Sequence, residues 1–353
     1  MFDALLWRWV PLAATLLLLS GCSTLDYYGH LAGGHLHLLQ AREPISALLE
    51  DPAADPDLQQ RLALAQQARA FASAQLSLPD NGSYRLYADI GRPFVVWNVF
   101  ATAEFSLSPE LHCFPIAGCV AYRGFYSQGR ARGAAALLKQ QGLDTYLGGV
   151  EAYSTLGWFD DPILNTMLRW SDERLVAVIF HELAHQQLYV ADDTAFNESF
   201  ASFVEHEGLR QWRAARGLAA RDPAGEQQRE HFIALVLASR ARLAQLYASD
   251  LPAAQMRVRK AAEFDRLRAE YHALRERQWA GQGRYDNWIN TPMNNAKLLP
   301  FGLYDQWVPA FAALFEQVDR DWPRFYERVA ALGQLPEAQR HQALTDLLAV
   351  TPN

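Results

Sequence analysis

The chain has 353 residues, half of them hydrophobic and 20% charged, enough to bury a substantial core as one large domain or two smaller ones. A formal net charge of −7, with no Lys/Arg-rich run, removes the electrostatic case for a nucleic-acid partner. No internal repeat or low-complexity tract points to a solenoid or a disordered tail.

Residues 1–21 carry Arg8, an apolar run from Val10 to Leu19, and then Ser20-Gly21-Cys22. That run is too short to span a bilayer and has the pattern of a secretory signal; a transmembrane anchor is the alternative. Its ending resembles a bacterial lipobox, which implies acylation of Cys22 and attachment by lipid rather than by a spanning helix. Ser23, rather than Asp, after the cysteine resembles lipoproteins sent to the outer membrane. Cys113 and Cys119 are then an even pair in an oxidising compartment, and a disulfide closing their short loop is expected, two free buried thiols being the alternative.

From Cys22 to Gly34 a tether runs into a His- and Leu-rich turn of helix, where His30, His35 and His37 read more simply as exposed histidines than as ligands. Apolar residues at helical spacing between Ile45 and Leu76 give an amphipathic helix, ended by the turn Pro79-Asp80-Asn81-Gly82. Tyr84–Ile90 and Phe94–Leu107 read as strands, as do Val120–Tyr126 and Asp144–Thr155, with a helix over residues 130–141 between the last two. Asp161-Pro162 breaks the chain before two further helices, Leu175–Tyr189 and the one containing Phe196–Glu205. Beyond Gly217, long helices are expected over Glu226–Ala248 and Ala254–Trp279, joined near Pro252; shorter, Pro-punctuated helices follow from Thr291 to Leu348.

His181-Glu182-Leu183-Ala184-His185 is the stretch that carries chemistry. Histidines four apart on a helix leave the same face and can close on one metal ion, and the intervening glutamate can reach a water there without being a ligand. This is the H-E-x-x-H arrangement of zinc hydrolases. The plain alternative is a buried helix with two hydrogen-bonded core histidines. In the next helix Glu198, Ser202 and Glu205 share a face at i, i+4 and i+7. A catalytic zinc site wants two imidazoles, a carboxylate and an open position, and Glu198 is the expected carboxylate. Glu205, two turns on, either supports a histidine or substrate from behind, or is a solvated helix charge.

His181–Gln186 together with Asn197–Glu205 resembles the two metal-site helices of aminopeptidase N-type zinc enzymes, in the gluzincin clan. From Tyr27 to about Phe325 the chain also resembles a family of bacterial lipoproteins described as aminopeptidases, including Cys113–Cys119 and Ala152–Asp160. The spacer between His185 and Glu198 is shorter than in aminopeptidase N. The resemblance implies an α+β fold: a zincin-like core, with a small mixed sheet and the metal-site helices, and a predominantly helical remainder. The corresponding division is a signal peptide (1–21), an N-terminal tether and helices (22–80), the catalytic core (81–215) and a helical C-terminal region (216–353).

In such hydrolases the peptide pairs with an edge strand beside the metal helix, here Tyr146–Tyr153, where Gly148 and Gly149 allow close approach. Gly149-Val150-Glu151-Ala152 partly resembles the G-x-M-E-N segment whose glutamate binds the substrate's free α-amine; Val150 and Ala152 replace its Met and Asn. Glu151 is therefore either the amine anchor or an exposed strand carboxylate. Zinc held by His181, His185 and Glu198 would activate water, with Glu182 as general base and then acid. An oxyanion donor is expected from Tyr271, Tyr285 or Tyr304, each of which also reads as a packing tyrosine. The combined expectation is a lipid-anchored, periplasm-facing zinc aminopeptidase acting on peptides. A zinc endopeptidase of envelope proteins and a non-catalytic zinc-containing lipoprotein are the alternatives.

Overall fold

The computed structural model describes residues 24–114, 118–152, 154–219, 223–301 and 306–350; Cys22 and Tyr304 lie outside them. The described residues open in helix α1, which runs to residue 40, followed by a short strand β1 (Arg42–Pro44). The helical stretch expected from Ile45 to Leu76 is divided into α2 (Ile45–Glu50) and α3 (Pro56–Leu76). The reason is local: Asp51 and Asp55 each accept the N–H two residues on, from Ala53 at 2.8 Å and Asp57 at 2.9 Å, which turns the chain between Pro52 and Pro56. Asp55 then caps α3, with Pro56 at its first position.

Strands β2 (Leu86–Ala88), β3 (Val96–Thr102), β4 (His112–Phe114), β5 (Gly118–Val120), β6 (Tyr122–Phe125), β7 (Asp144–Val150) and β8 (Ile163–Leu164) form three small sheets. One is mixed, in the order β1-β2-β8, with β1 antiparallel and β8 parallel to β2. The second, β6-β3-β7, is antiparallel, so β7 is an edge strand as expected. The third is the β4–β5 hairpin, joined by the Cys113–Cys119 disulfide that the cysteine count predicts. Helix α4 (Gln128–Gln140) covers the face of the second sheet that carries Trp97, Val99 and Phe125.

The helices that carry His181, His185 and Glu198 are α5 (Asp172–Gln187), capped by Ser171, and α6 (Thr194–Ala215), capped by Asp193. They lie in the main core: Leu183 and Phe180 of α5 and Phe196 and Phe200 of α6 are fully buried with Leu62 and Leu76 of α3. Phe311 and Phe325, from the C-terminal helices α11 (Val308–Gln317) and α12 (Trp322–Gly333), close the same core. Burying each such side chain contributes about 1.5–3 kcal/mol, so apolar packing holds α5 and α6 in place.

Helices α7 (Pro223–Tyr247) and α8 (Ala253–Gln278) pair around a separate core of Phe232, Leu267, Tyr271 and Trp279. Short helices α9 (Asp286–Asn290) and α10 (Asn295–Leu298) complete this lobe, and α13 (Glu337–Val350) ends the described chain. Lys260 ties the lobe to the second sheet, donating to Asp144 Oδ2 at 2.6 Å and to the Glu104 carbonyl at 2.7 Å. The whole is α+β with a helical remainder, the sheet component being spread over three small sheets. No helix among the described residues is long and apolar enough to cross a membrane.

Candidate metal centre

Two consecutive helices bring His181, His185 and Glu198 together. The Nε2 atoms of the two histidines are 3.2 Å apart, and Glu198 Oε2 is 3.4 Å from His181 Nε2 and 3.6 Å from His185 Nε2. The His181 Nδ1–H donates to Glu205 Oε2 at 3.0 Å, since a carboxylate can only accept. In neutral His181 the lone pair is then on Nε2, aimed at the Glu198 oxygen and the facing imidazole. Lone pairs so placed repel unless a proton or a cation sits among them.

A divalent cation fits that space. Four-coordinate zinc with ligands at about 2.1 Å has ligand-to-ligand edges of about 3.4 Å, matching the three observed separations. The electrostatics agree. Burial disfavours charge on the His181 ring, but hydrogen bonds and charge from Glu198 and Glu205 outweigh it and push its pKa well above the ordinary histidine value. Burial would raise the Glu198 carboxyl, yet His185 and His181 hold it down to about 2. The site is built to hold positive charge.

Glu182 lines the same cleft beside the histidines. Burial raises its pKa; the histidines pull it down, and Glu198 and Glu205 push it up again. Glu205, either a support or a surface charge by its spacing, is the support: it fixes the tautomer and plane of His181.

Residues outside the motif hold these side chains in place. Asn197 clamps the turn between α5 and α6, accepting from Val190 N at 2.8 Å and donating to Val190 O at 2.6 Å, which orients the adjacent Glu198. Asp193 accepts from Phe196 N, from Arg340 Nε at 2.8 Å and from His341 Nε2 at 2.9 Å, so α13 pins the start of α6. Asn81 donates to Gln186 Oε1 at 2.7 Å and Gln186 donates to Ser83, fixing the last turn of α5. Asn197 carries a faint sequence signal, an Asn inside a helix where Asn is a poor former. The partners of Asp193 lie too far along the chain for any local pattern.

The donors open onto a cleft of about 1030 Å³, walled by α1 through Tyr27 and Leu31, by the sheet face bearing Val96 and Asn98, and by the turn at Thr155–Phe159. Val150 and Ala152 line it, but Glu151 and Gly149 do not. Alternation along the strand puts odd and even positions on opposite faces. Glu151 turns away, accepting from the Trp170 indole at 2.7 Å with Arg174 at 3.8 Å. Gly149 is a close-approach glycine as expected, but what approaches is the Phe94 ring, 2.5 Å from where a Cβ would stand. Neither residue, as placed, offers the substrate contact expected of it.

Of the expected oxyanion donors, Tyr304 lies outside the described residues and the other two pack in the helical lobe. Tyr271 is fully buried in the α7–α8 core, and its hydroxyl donates to Asp286 Oδ1 at 2.7 Å. Tyr285 stacks on Phe232 with ring centroids 3.9 Å apart. Among the described residues, a phenol beside the candidate ligands is that of Tyr189, just past α5, its ring centroid 6.4 Å from that of His185. At the cleft rim, buried Asp161 accepts from Thr155 N at 2.8 Å; burial drives its pKa up to about 6 against those hydrogen bonds.

No curated protein and no solved structure matches the chain. The family model described as "Putative aminopeptidase" matches residues 26–344, which takes in both metal-site helices, the cleft walls and most of the C-terminal helices. The chain therefore belongs to that aminopeptidase family, which supports a peptidase function.

Proposed function

We propose that the protein is a zinc metallopeptidase, lipid-anchored through Cys22 and facing the periplasm from the outer membrane, that removes N-terminal residues from peptides. The observation that carries the chemistry is the convergence of His181, His185 and Glu198 beside Glu182, with His181 oriented by Glu205. His181, His185 and Glu198 would hold the ion, which when bound supplies Lewis-acid activation of water and of the scissile carbonyl. Mn, Co and Ni suit the same donor set.

Glu182 takes a proton from the attacking water and returns it to the departing amine; its raised pKa suits a group that must both accept and release a proton. Tyr189, which lines the cleft beside His185, is the candidate to donate an O–H to the developing oxyanion. The exopeptidase assignment rests on family membership.

One observation favours an endopeptidase instead. Among the described residues, the carboxylates lining the cleft are Glu173, Glu182, Glu198 and Glu205. Three belong to the metal site, and Glu173 is two turns along α5 from His181, about 12 Å at 1.5 Å per residue, too far to hold the amine of the residue being cleaved. Parallel digestion of a free and an N-acetylated peptide tests the choice. An aminopeptidase releases single residues from the free peptide only; equal internal cleavage of both would establish the endopeptidase.

A further inference from the structure

The outer face of α1 breaks the usual rule for a surface helix. Tyr27 and Leu38 turn inward and are buried, yet Leu25, Tyr28, Ala32 and Leu36, at i, i+3, i+7 and i+11, form an exposed stripe that is also apolar. Leu25 is 74% exposed and Leu36 54%. Asp26, the acid beside this stripe, is paired with Arg130. A helix apolar on both sides has a second apolar surface to meet.

The stripe continues into the turn at the cleft mouth. Trp158 is 67% exposed and Phe159 48%, and the Phe159 ring lies 4.6 Å from that of His35 on α1. Left-handed Leu156 (φ 56°) and Gly157 (φ 82°) throw these two aromatics outward. For leucine that backbone is costly, and it is held by Thr155, whose Oγ1 accepts from Phe159 N at 3.1 Å and whose carbonyl accepts from Trp158 N at 3.1 Å. Tyr28, Trp158 and Phe159 all line the cleft.

We propose that this face of α1 and the Trp158–Phe159 turn form a docking surface for a lipid bilayer, which brings the cleft mouth down to the membrane. The inference rests on the reading of Cys22 as acylated. Residue 24 is already helical and stands two residues after Cys22; two residues reach at most about 7 Å, so acyl chains on Cys22 oblige the first described turn of α1 to lie at the headgroups. A helix lying in the interface buries its apolar face there, and tryptophan and tyrosine are the side chains that favour this level. The substrate class follows: peptide segments presented at the bilayer surface, such as the chain ends of membrane-inserted or acylated proteins.

The test uses the acylated full chain in phosphatidylethanolamine/phosphatidylglycerol vesicles, with a nitroxide at Leu36→Cys or Trp158→Cys and a control at Val258→Cys on α8, which is 70% exposed. Docking requires that the Leu36 and Trp158 labels lose collisions with a water-soluble nickel chelate and gain them with oxygen, while the Val258 label stays aqueous. Labels at 36 and 158 as accessible to nickel as the one at 258, with the protein sedimenting with vesicles, overturn docking and leave the anchor intact. Labels shielded from both reagents, with dipolar broadening, assign the face to a second copy and also overturn the proposal. Protein that stays in the supernatant removes the anchor reading and docking together.

Discussion

Replacing Glu205 by alanine isolates the contribution of a residue that touches no metal. Its carboxylate accepts the His181 Nδ1–H at 3.0 Å, on the opposite side of the ring from Glu198 and His185. A hydrogen bond to a charged acceptor contributes about 1.5–3 kcal/mol. Loss of an outer carboxylate of this type costs about 10–100-fold in metal affinity, equivalent to about 1.4–2.7 kcal/mol, and the two figures agree. Glu205→Gln keeps an acceptor and removes the charge, so it should fall between wild type and Glu205→Ala. Zinc affinity, measured by competition against a chelating fluorophore, reads this without reference to activity. Glu205→Ala binding zinc within a factor of two of wild type would refute the assigned role.

Glu182→Gln should leave zinc affinity near wild type and lower kcat by several orders of magnitude, since it removes the proton carrier but no ligand; unchanged turnover points to the non-catalytic alternative. Tyr189→Phe should reduce kcat by about 10²–10³ with little change in KM, the cost of one oxyanion donor, and an unaffected kcat moves that role elsewhere in the cleft. Asp161 gives a pH signature. Its folded pKa, about 6, lies above the ordinary value near 3.8, so its contribution to stability is fully present below about pH 4 and is lost as pH rises through about 6. The penalty above that range is about 3 kcal/mol, from a little over two pH units at 1.36 kcal/mol each. Asp161→Asn should therefore gain on wild type in urea denaturation with chelator present between pH 4 and 7; a constant difference across that range contradicts the assignment.

The cluster of candidate metal ligands was largely legible because its parts are local. His181, Glu182 and His185 lie within one turn and a half of α5, and Glu198 lies in the second turn of the next helix, so helical periodicity alone nearly places them. The disulfide followed from counting cysteines. The facing of Gly149 and of Glu151, just past the strand, was not legible because β7, Asp-Thr-Tyr-Leu-Gly-Gly-Val, is half-buried along nearly all its length and has no alternation to reveal which face meets the cleft. A shift of one residue decides that question, and only the pairing with β3 supplies it. Tyr271 failed for a different reason. Its distance along the chain from the H-E-x-x-H motif says nothing about where the α7–α8 pair packs, and Phe232 and Trp279 enclose it in that lobe's own core. Arg340 holding Asp193 is likewise a contact between distant segments that no local pattern encodes.

Because apolar packing holds α5 and α6 in place, the apo protein should stay folded, which makes metal content a clean measurement. Elemental analysis of the folded chain after equilibration with zinc and gel filtration should find a single ion per molecule, retained in Glu182→Gln and lost in His185→Ala. Folded wild-type protein that emerges with no zinc, or a His185→Ala variant that keeps it, would contradict the metal centre and the peptidase chemistry built on it.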